Sequence, residues 1–332
     1  MTAHRDELEP IDPRTARELY LDHKATHCTE STVQAHHYRT KHIIDWCDEN
    51  DIDNLNELTG RDLHQFRLWH MDRGDINKVT LRQHMCTLRV FLKWAASIEA
   101  VPADLYDKVM VPQVGRGERQ RDDMLDAETA QELLQYLEKY HFASRRHIII
   151  ALLWETGIRT GAAHSIDLAD VHLDDGYIEL VHRPDQGTTL KNGKSGERPI
   201  AITESLAELL GEYIENTRED KVDDAGRTPL VTSKYGRLSR NSFRRIVYDT
   251  TAPCFRGEPC PDCVDSFDKK CSEAVGPHAI RRGSITHFLT KDVPEEVVSD
   301  RMNVSRDVLD QHYDNRSEEV KLEQRRGYLD NI

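Results

Sequence analysis

The stretch "VPQVGRGERQRDDM" (residues 111–124) carries a proline, two glycines and a run of charge, with no apolar period. It reads as a linker, because nothing in it can bury a face. Its position divides a chain of 332 residues into two segments, each long enough to bury its own core. The expected organisation is a helical segment over 1–112, a linker over 113–124 and a second domain over 125–332. On the N-terminal side "STVQAHHYRTKHIIDWCDEN" opens on a Ser/Thr cap signal, and "NKVTLRQHMCTLRVFLKWAAS" (77–97) is the clearest helix. Leu81, Met85, Leu88 and Leu92 fall on one stripe at a period of 3.6. Lys78, Arg82, Arg89 and Lys93 form a second stripe beside it, a cationic flank suited to phosphate.

Beyond the linker the pattern changes. "LDAETAQELLQYLEKY" starts a helix on an Asp cap, and "RRHIIIALLWETG" is a buried helix ending at Gly157. "VHLDDGYIELVH" reads as two short strands about an Asp-Asp-Gly turn, and "ERPIAIT" (197–203) as a third. The polar loop "RPDQGTTLKNGKSG" joins the second and third strands, and helical pattern follows to the end, apart from a cysteine-bearing loop. The longest apolar run, "HIIIALLW", is far short of a membrane span, and the charged N-terminus has no apolar signal core. A cytoplasmic protein without a membrane partner is therefore expected.

Four features line up in the second segment. Arg159 stands just after Gly157, Lys191 and Lys194 lie in the loop between two strands, His278-x-x-Arg281 heads a helix, and Tyr313 follows in "MNVSRDVLDQHYD". Tyr313 sits in the polar run "DQHYDNR" and is expected to be exposed. This order of Arg, loop Lys, His-x-x-Arg and late Tyr resembles the tyrosine recombinase, or phage-type integrase, family. The ending is similar to archaeal integrases and the overall layout to Xer-type members. The resemblance spans nearly the whole chain. It implies a mainly α fold with a small three-stranded antiparallel sheet (α+β), made of a helical core-binding domain and a catalytic domain.

The resemblance also implies a site-specific DNA recombinase. Tyr313 would attack the scissile phosphate and remain as a 3′-phosphotyrosine. Arg159 and Arg281 would clamp the non-bridging oxygens, since a guanidinium forks onto two of them and stays charged at any working pH. Lys191, with Lys194 as the alternative, would protonate the leaving 5′-oxygen. His278 would assist proton movement or hydrogen-bond the phosphate. Catalysis needs no cofactor, because bond energy is held in the protein–DNA link. The implied partners are double-stranded DNA and a homotetramer on paired sites. Two positions depart from the family pattern: Val304 stands where a histidine or tryptophan is usual, and Ala162 where a carboxylate often lies. Other readings of the same residues are a type IB topoisomerase-like enzyme and a catalytically silent DNA-binding regulator.

The net charge of −14 argues against nucleic acid on first inspection. With 59 acidic and 45 basic residues the surface reads as that of a halophile's protein, so the placement of cations matters more than their sum. "SKYGRLSRNSFRRIVY" (233–248) gathers Lys234, Arg237, Arg240, Arg244 and Arg245 without an acid and is the second candidate DNA contact. Cys254, Cys260, Cys263 and Cys271 lie within "CFRGEPCPDCVDSFDKKC", an insert at 254–271. Four soft ligands at this spacing suit tetrahedral structural zinc, with free or redox-active thiols as the alternative. Cys28, Cys47 and Cys86 are scattered in helical segments and are expected in the core.

Overall fold

The computed structural model describes residues 8–74, 76–115, 123–260, 271–314 and 316–329, and the chain divides after Arg121 into two compact units. The first contains α1 (Pro13–Ala25), α2 (Glu30–Glu49), α3 (Gly60–Asp72) and α4 (Lys78–Ser97). Each start follows local chemistry. Asp12 caps α1 ahead of a proline at the first helical position, Thr59 and Asp62 form a reciprocal capping box on α3, and Asn77 accepts from the Thr80 amide of α4. The expected stripe Leu81, Met85, Leu88 and Leu92 is buried, and Phe91 widens it. These side chains pack on Tyr20, Ile43, Ile44, Trp46 and Phe66 from the other three helices.

The second unit is built around α6 (Arg145–Thr156). Ile148, Ile149, Ile150, Leu152 and Leu153 are all fully buried, so the middle of this helix sits inside the core. Such burial contributes about 1.5–3 kcal/mol per side chain. Packed against α6 are α5 (Ala127–Tyr140), α8 (Glu204–Glu212), α9 (Arg240–Thr251) and α10 (Pro277–Thr290). A short α7 (Thr160–Ser165) leads to a three-stranded antiparallel sheet, β1 (Val171–His172), β2 (Tyr177–Leu180) and β3 (Arg198–Ala201), in that spatial order. The register pairs Ile178 with Val171 on one side and with Ile200 on the other. After α10 come α11 (Glu295–Met302), α12 (Arg306–His312) and α13 (Glu318–Leu329). No helix among the described residues is long and apolar enough to cross a membrane.

One element departs from the expected helical pattern. Thr232–Ser233 and Gly236–Arg237 form a hairpin, β4 and β5, whose Gly236 has φ of +121°, open to glycine and strained for other residues. The basic segment 233–248 is therefore half hairpin and half helix.

Candidate active site

Two glycines bring the chemistry together. Gly157 ends α6 in the left-handed conformation, φ +60°, and turns the chain so that Arg159 opens α7. Gly283 lets α10 lie against Leu125, because a Cβ there would stand 1.8 Å from the Leu125 carbonyl oxygen. With α10 seated, Arg281 reaches back across α6. One terminal nitrogen donates to the Gly157 carbonyl at 2.5 Å and the other to the Met302 carbonyl at 2.8 Å. Arg281 is only 1% exposed. Burial first, then repulsion from Arg159, lowers its pKa to about 10, which leaves it charged at neutral pH. Its Nε is buried with no hydrogen-bond partner among the described residues, a donor suited to an oxyanion. Arg159 is half-buried and donates to the Asn303 carbonyl at 3.0 Å.

Tyr313 closes the C-terminus of α12 and is buried at 5% exposure, not exposed as its polar neighbours suggest. Its ring packs with Ile285, Leu289, Val298, Met302, Val304 and Leu309, and the Arg281 guanidinium lies 5.5 Å from the ring centroid. Thr286 Oγ1 holds its carbonyl at 2.8 Å. The hydroxyl lies 3.4 Å from His278 Nε2, in the first turn of α10, with the two rings edge to face. His278 as a residue reaches solvent, yet its ring packs on Tyr313. Burial of the ring, followed by repulsion from Arg281, Arg282, Arg159 and Lys191, pushes its pKa down to about 4. The imidazole is therefore neutral at neutral pH and keeps a lone pair.

Lys191 and Lys194 are both exposed in the loop between β2 and β3. Lys191 is among the cations that lower the pKa of His278. Asn192 Nδ2 donates to Asn303 Oδ1 at 3.0 Å, which ties this loop to the turn carrying the Arg159 contact. Asn303 itself is left-handed, φ +48°. Two residues were not legible as site members. Arg198 of β3 donates to the Arg301 carbonyl at 2.8 Å, and burial followed by repulsion from Arg281 and Arg159 lowers it to about 10. Asn192 bridges to Asn303. A cation inside a strand and an amide in a loop carry no signal of either role in sequence. The two departures are apolar in fact: Val304 belongs to the cluster around Tyr313, and Ala162 to the main core.

The second candidate contact needs a correction. Arg237 is turned inward, its guanidinium bonded to Asp167, Asp223 and the His164 carbonyl, with its side chain 9% exposed. Asp167 and Asp223 also hold Arg227, and Asp167 lies near Arg183, so the acids absent from the local sequence are supplied from elsewhere in the fold. Lys234, Arg240, Arg244 and Arg245 remain exposed on the hairpin and the first turns of α9, although Arg245 has Asp249 at 3.7 Å. On α4, Lys78, Arg89 and Lys93 are exposed and Arg82 half-buried. Arg82 donates to the Pro112 carbonyl, Arg89 to that of Val109, and Lys93 lies over Tyr106. That flank also fastens α4 to the segment after it.

In the insert, Cys254, Cys260 and Cys271 converge, their sulfurs all within 4.8 Å of one another and those of Cys260 and Cys271 at 3.2 Å. Tetrahedral zinc places thiolates about 3.8 Å apart, so these three residues fit the ion. Cys263, the fourth expected ligand, lies outside the described residues. Cys47 is in the core, whereas Cys28 and Cys86 are only half-buried.

A buried tyrosine beside a neutral histidine and two converging arginines, on this helical fold, defines a catalytic domain of tyrosine-recombinase type. Residues 123–319, well over half of the chain, match the phage integrase family model, and the chain belongs to that family. It is 20% identical over 257 residues to the tyrosine recombinase XerD of Oceanobacillus iheyensis, covering 77% of each chain. Among solved structures it is similar to the Tn1549 transposon integrase in complex with a circular intermediate DNA (13% identity, TM-score 0.68, 95% of this chain and 99% of that one). It is similar also to a lambda integrase tetramer bound to a Holliday junction (14% identity, TM-score 0.63, 90% of this chain and 78% of that one).

Proposed function

We propose that this integrase-family enzyme, a site-specific DNA recombinase, cuts and rejoins DNA through a 3′-phosphotyrosine on Tyr313. The observation that carries the reading is the Tyr313 hydroxyl beside His278, over a buried Arg281 and near Arg159. His278, neutral at neutral pH, takes the hydroxyl proton as the oxygen bonds to phosphorus. The 3.4 Å separation is of the loose kind that tightens when substrate is bound. Negative charge grows on the non-bridging oxygens, where Arg281 Nε and the Arg159 guanidinium offer donors. The P–O5′ bond breaks, and Lys191 gives the departing 5′-oxygen its proton. A 5′-hydroxyl from the second duplex then reverses each step and seals the exchanged strand. Neither Val304 nor Ala162 removes a group these steps use.

The influence of Lys191 on His278 favours it over Lys194 as general acid. Lys191→Ala is expected to slow cleavage of a normal substrate and to be rescued by a 5′-thio leaving group, which departs without a proton. Rescue at Lys194→Ala instead would move the role to that residue. The exposed cations of α9 and of α4 are proposed to hold DNA phosphates, each within its own unit. Recombination of two sites calls for a homotetramer, and the lambda integrase tetramer on a Holliday junction is consistent with that assembly. In the free chain α13 is fastened to its own domain, through Gln324 to the Leu289 carbonyl and the neighbouring Arg316 to Asp314 and Glu295. In the tetramer the tail after Tyr313 is proposed to dock on a neighbouring protomer, which requires that these contacts be released.

The cysteine insert is proposed to hold structural zinc, outside the chemistry, with Cys254, Cys260 and Cys271 as three ligands. The acid-rich surface is read as an adaptation to high salt. The denaturation midpoint is then expected to rise between low and multimolar salt, and a flat or falling midpoint would refute the adaptation.

A further inference from the structure

His42, His70 and His84 come from three different helices of the first unit, α2, α3 and α4, and meet at one point. One ring nitrogen of each lies within 4.8 Å of the others, with His70 Nε2 and His84 Nδ1 at 2.7 Å. His84 stacks on His42 and on His70 at centroid distances of 5.1 and 5.0 Å, and His42 and His70 meet tilted at 4.5 Å. His70 is buried and stacked on Phe66, while His42 and His84 are half-buried, so the cluster has an apolar floor and a side toward solvent. In sequence these histidines are separated by 28 and 14 residues and carry no ligand spacing.

We propose that His42, His70 and His84 form a zinc site that staples α2, α3 and α4 of the helical unit. Imidazoles on three elements are what a borderline-soft divalent ion selects. Tetrahedral zinc at about 2.0 Å from each nitrogen holds the nitrogens about 3.3 Å apart, so the His70–His84 pair opens by roughly 0.6 Å as the ion enters. The fourth position is left to water on the half-buried side. Buried polar groups are ordinarily satisfied, and among the described residues one hydrogen bond joins these three rings. A metal ion satisfies all three lone pairs at once. Burial, and after it the neighbouring His42, pushes His70 and His84 down to about 4, which keeps their lone pairs available at neutral pH. Asp45 is the acid that acts on His42, opposed by Lys41 and Arg73, and Arg39 acts on His84. This site is separate from the cysteine insert and from the recombination residues.

The test counts zinc on untagged full-length protein, stripped with chelator, titrated with zinc sulfate and desalted. His84→Gln and His42→Gln are each expected to retain one zinc fewer per chain than the wild type. That loss is independent of whether the cysteines hold an ion, because Cys254→Ser/Cys271→Ser leaves the histidine-dependent equivalent in place. Helicity by circular dichroism checks that the variants fold. Should they not, zinc-edge X-ray absorption of the wild-type protein is expected to show an imidazole-nitrogen shell. Equal zinc in the wild type and both folded histidine variants, or a shell of sulfur alone, would overturn the proposal.

Discussion

Tyr313→Phe leaves DNA binding near normal and forms no covalent protein–DNA complex. Phenylalanine keeps the ring that packs with Val304, Met302 and Leu309 and lies over Arg281, so the fold is preserved. What is lost is the hydroxyl beside His278, the oxygen proposed to bond to phosphorus. Cleavage is expected to fall by at least ~10⁴-fold, the scale on which loss of a nucleophile acts in enzymes whose catalytic groups work as a unit. A nicked suicide duplex measures this directly, because the cut strand stays on the protein. An adduct that persisted in Tyr313→Phe would place the nucleophile at another residue. The same assay separates a recombinase from a silent regulator, which would shift the mobility of the duplex and never bond to it.

Arg159→Lys and Arg281→Lys each reduce cleavage by at least ~10²-fold, but they differ in what else they do. Lysine cannot present two parallel donors, so either change weakens stabilisation of the phosphate charge. Arg281 also bridges the Gly157 and Met302 carbonyls inside the protein. A lysine there leaves at least one of them without its partner, at a cost of about 1–3 kcal/mol. Arg159 is half-buried and makes one such contact, to Asn303. Single-turnover cleavage and urea denaturation together read the difference. Both variants cleave poorly, and Arg281→Lys shows the larger drop in unfolding midpoint. Unchanged cleavage in either variant would remove that arginine from the clamp.

Much of this protein was legible before any coordinates. Asp126 as a cap, Gly157 as a helix stop and the apolar run 147–154 each act through neighbours within a turn, so sequence alone determined those helices. The Asp-Asp-Gly turn did the same for the first two strands. The residue types of the site were read through the family resemblance, carried by the order of Arg159, the loop lysines, His278-x-x-Arg281 and Tyr313. Tertiary structure decided the rest. Tyr313, in a polar run, is buried because α12 turns it under α10. Arg237, in a segment without acids, is neutralised by Asp167 and Asp223 from 70 and 14 residues away. Arg198 and Asn192 join the site, and His42, His70 and His84 meet, only because elements distant in sequence pack together. Local propensity acts over a few residues, whereas burial and charge pairing are set by whichever elements the core brings into contact.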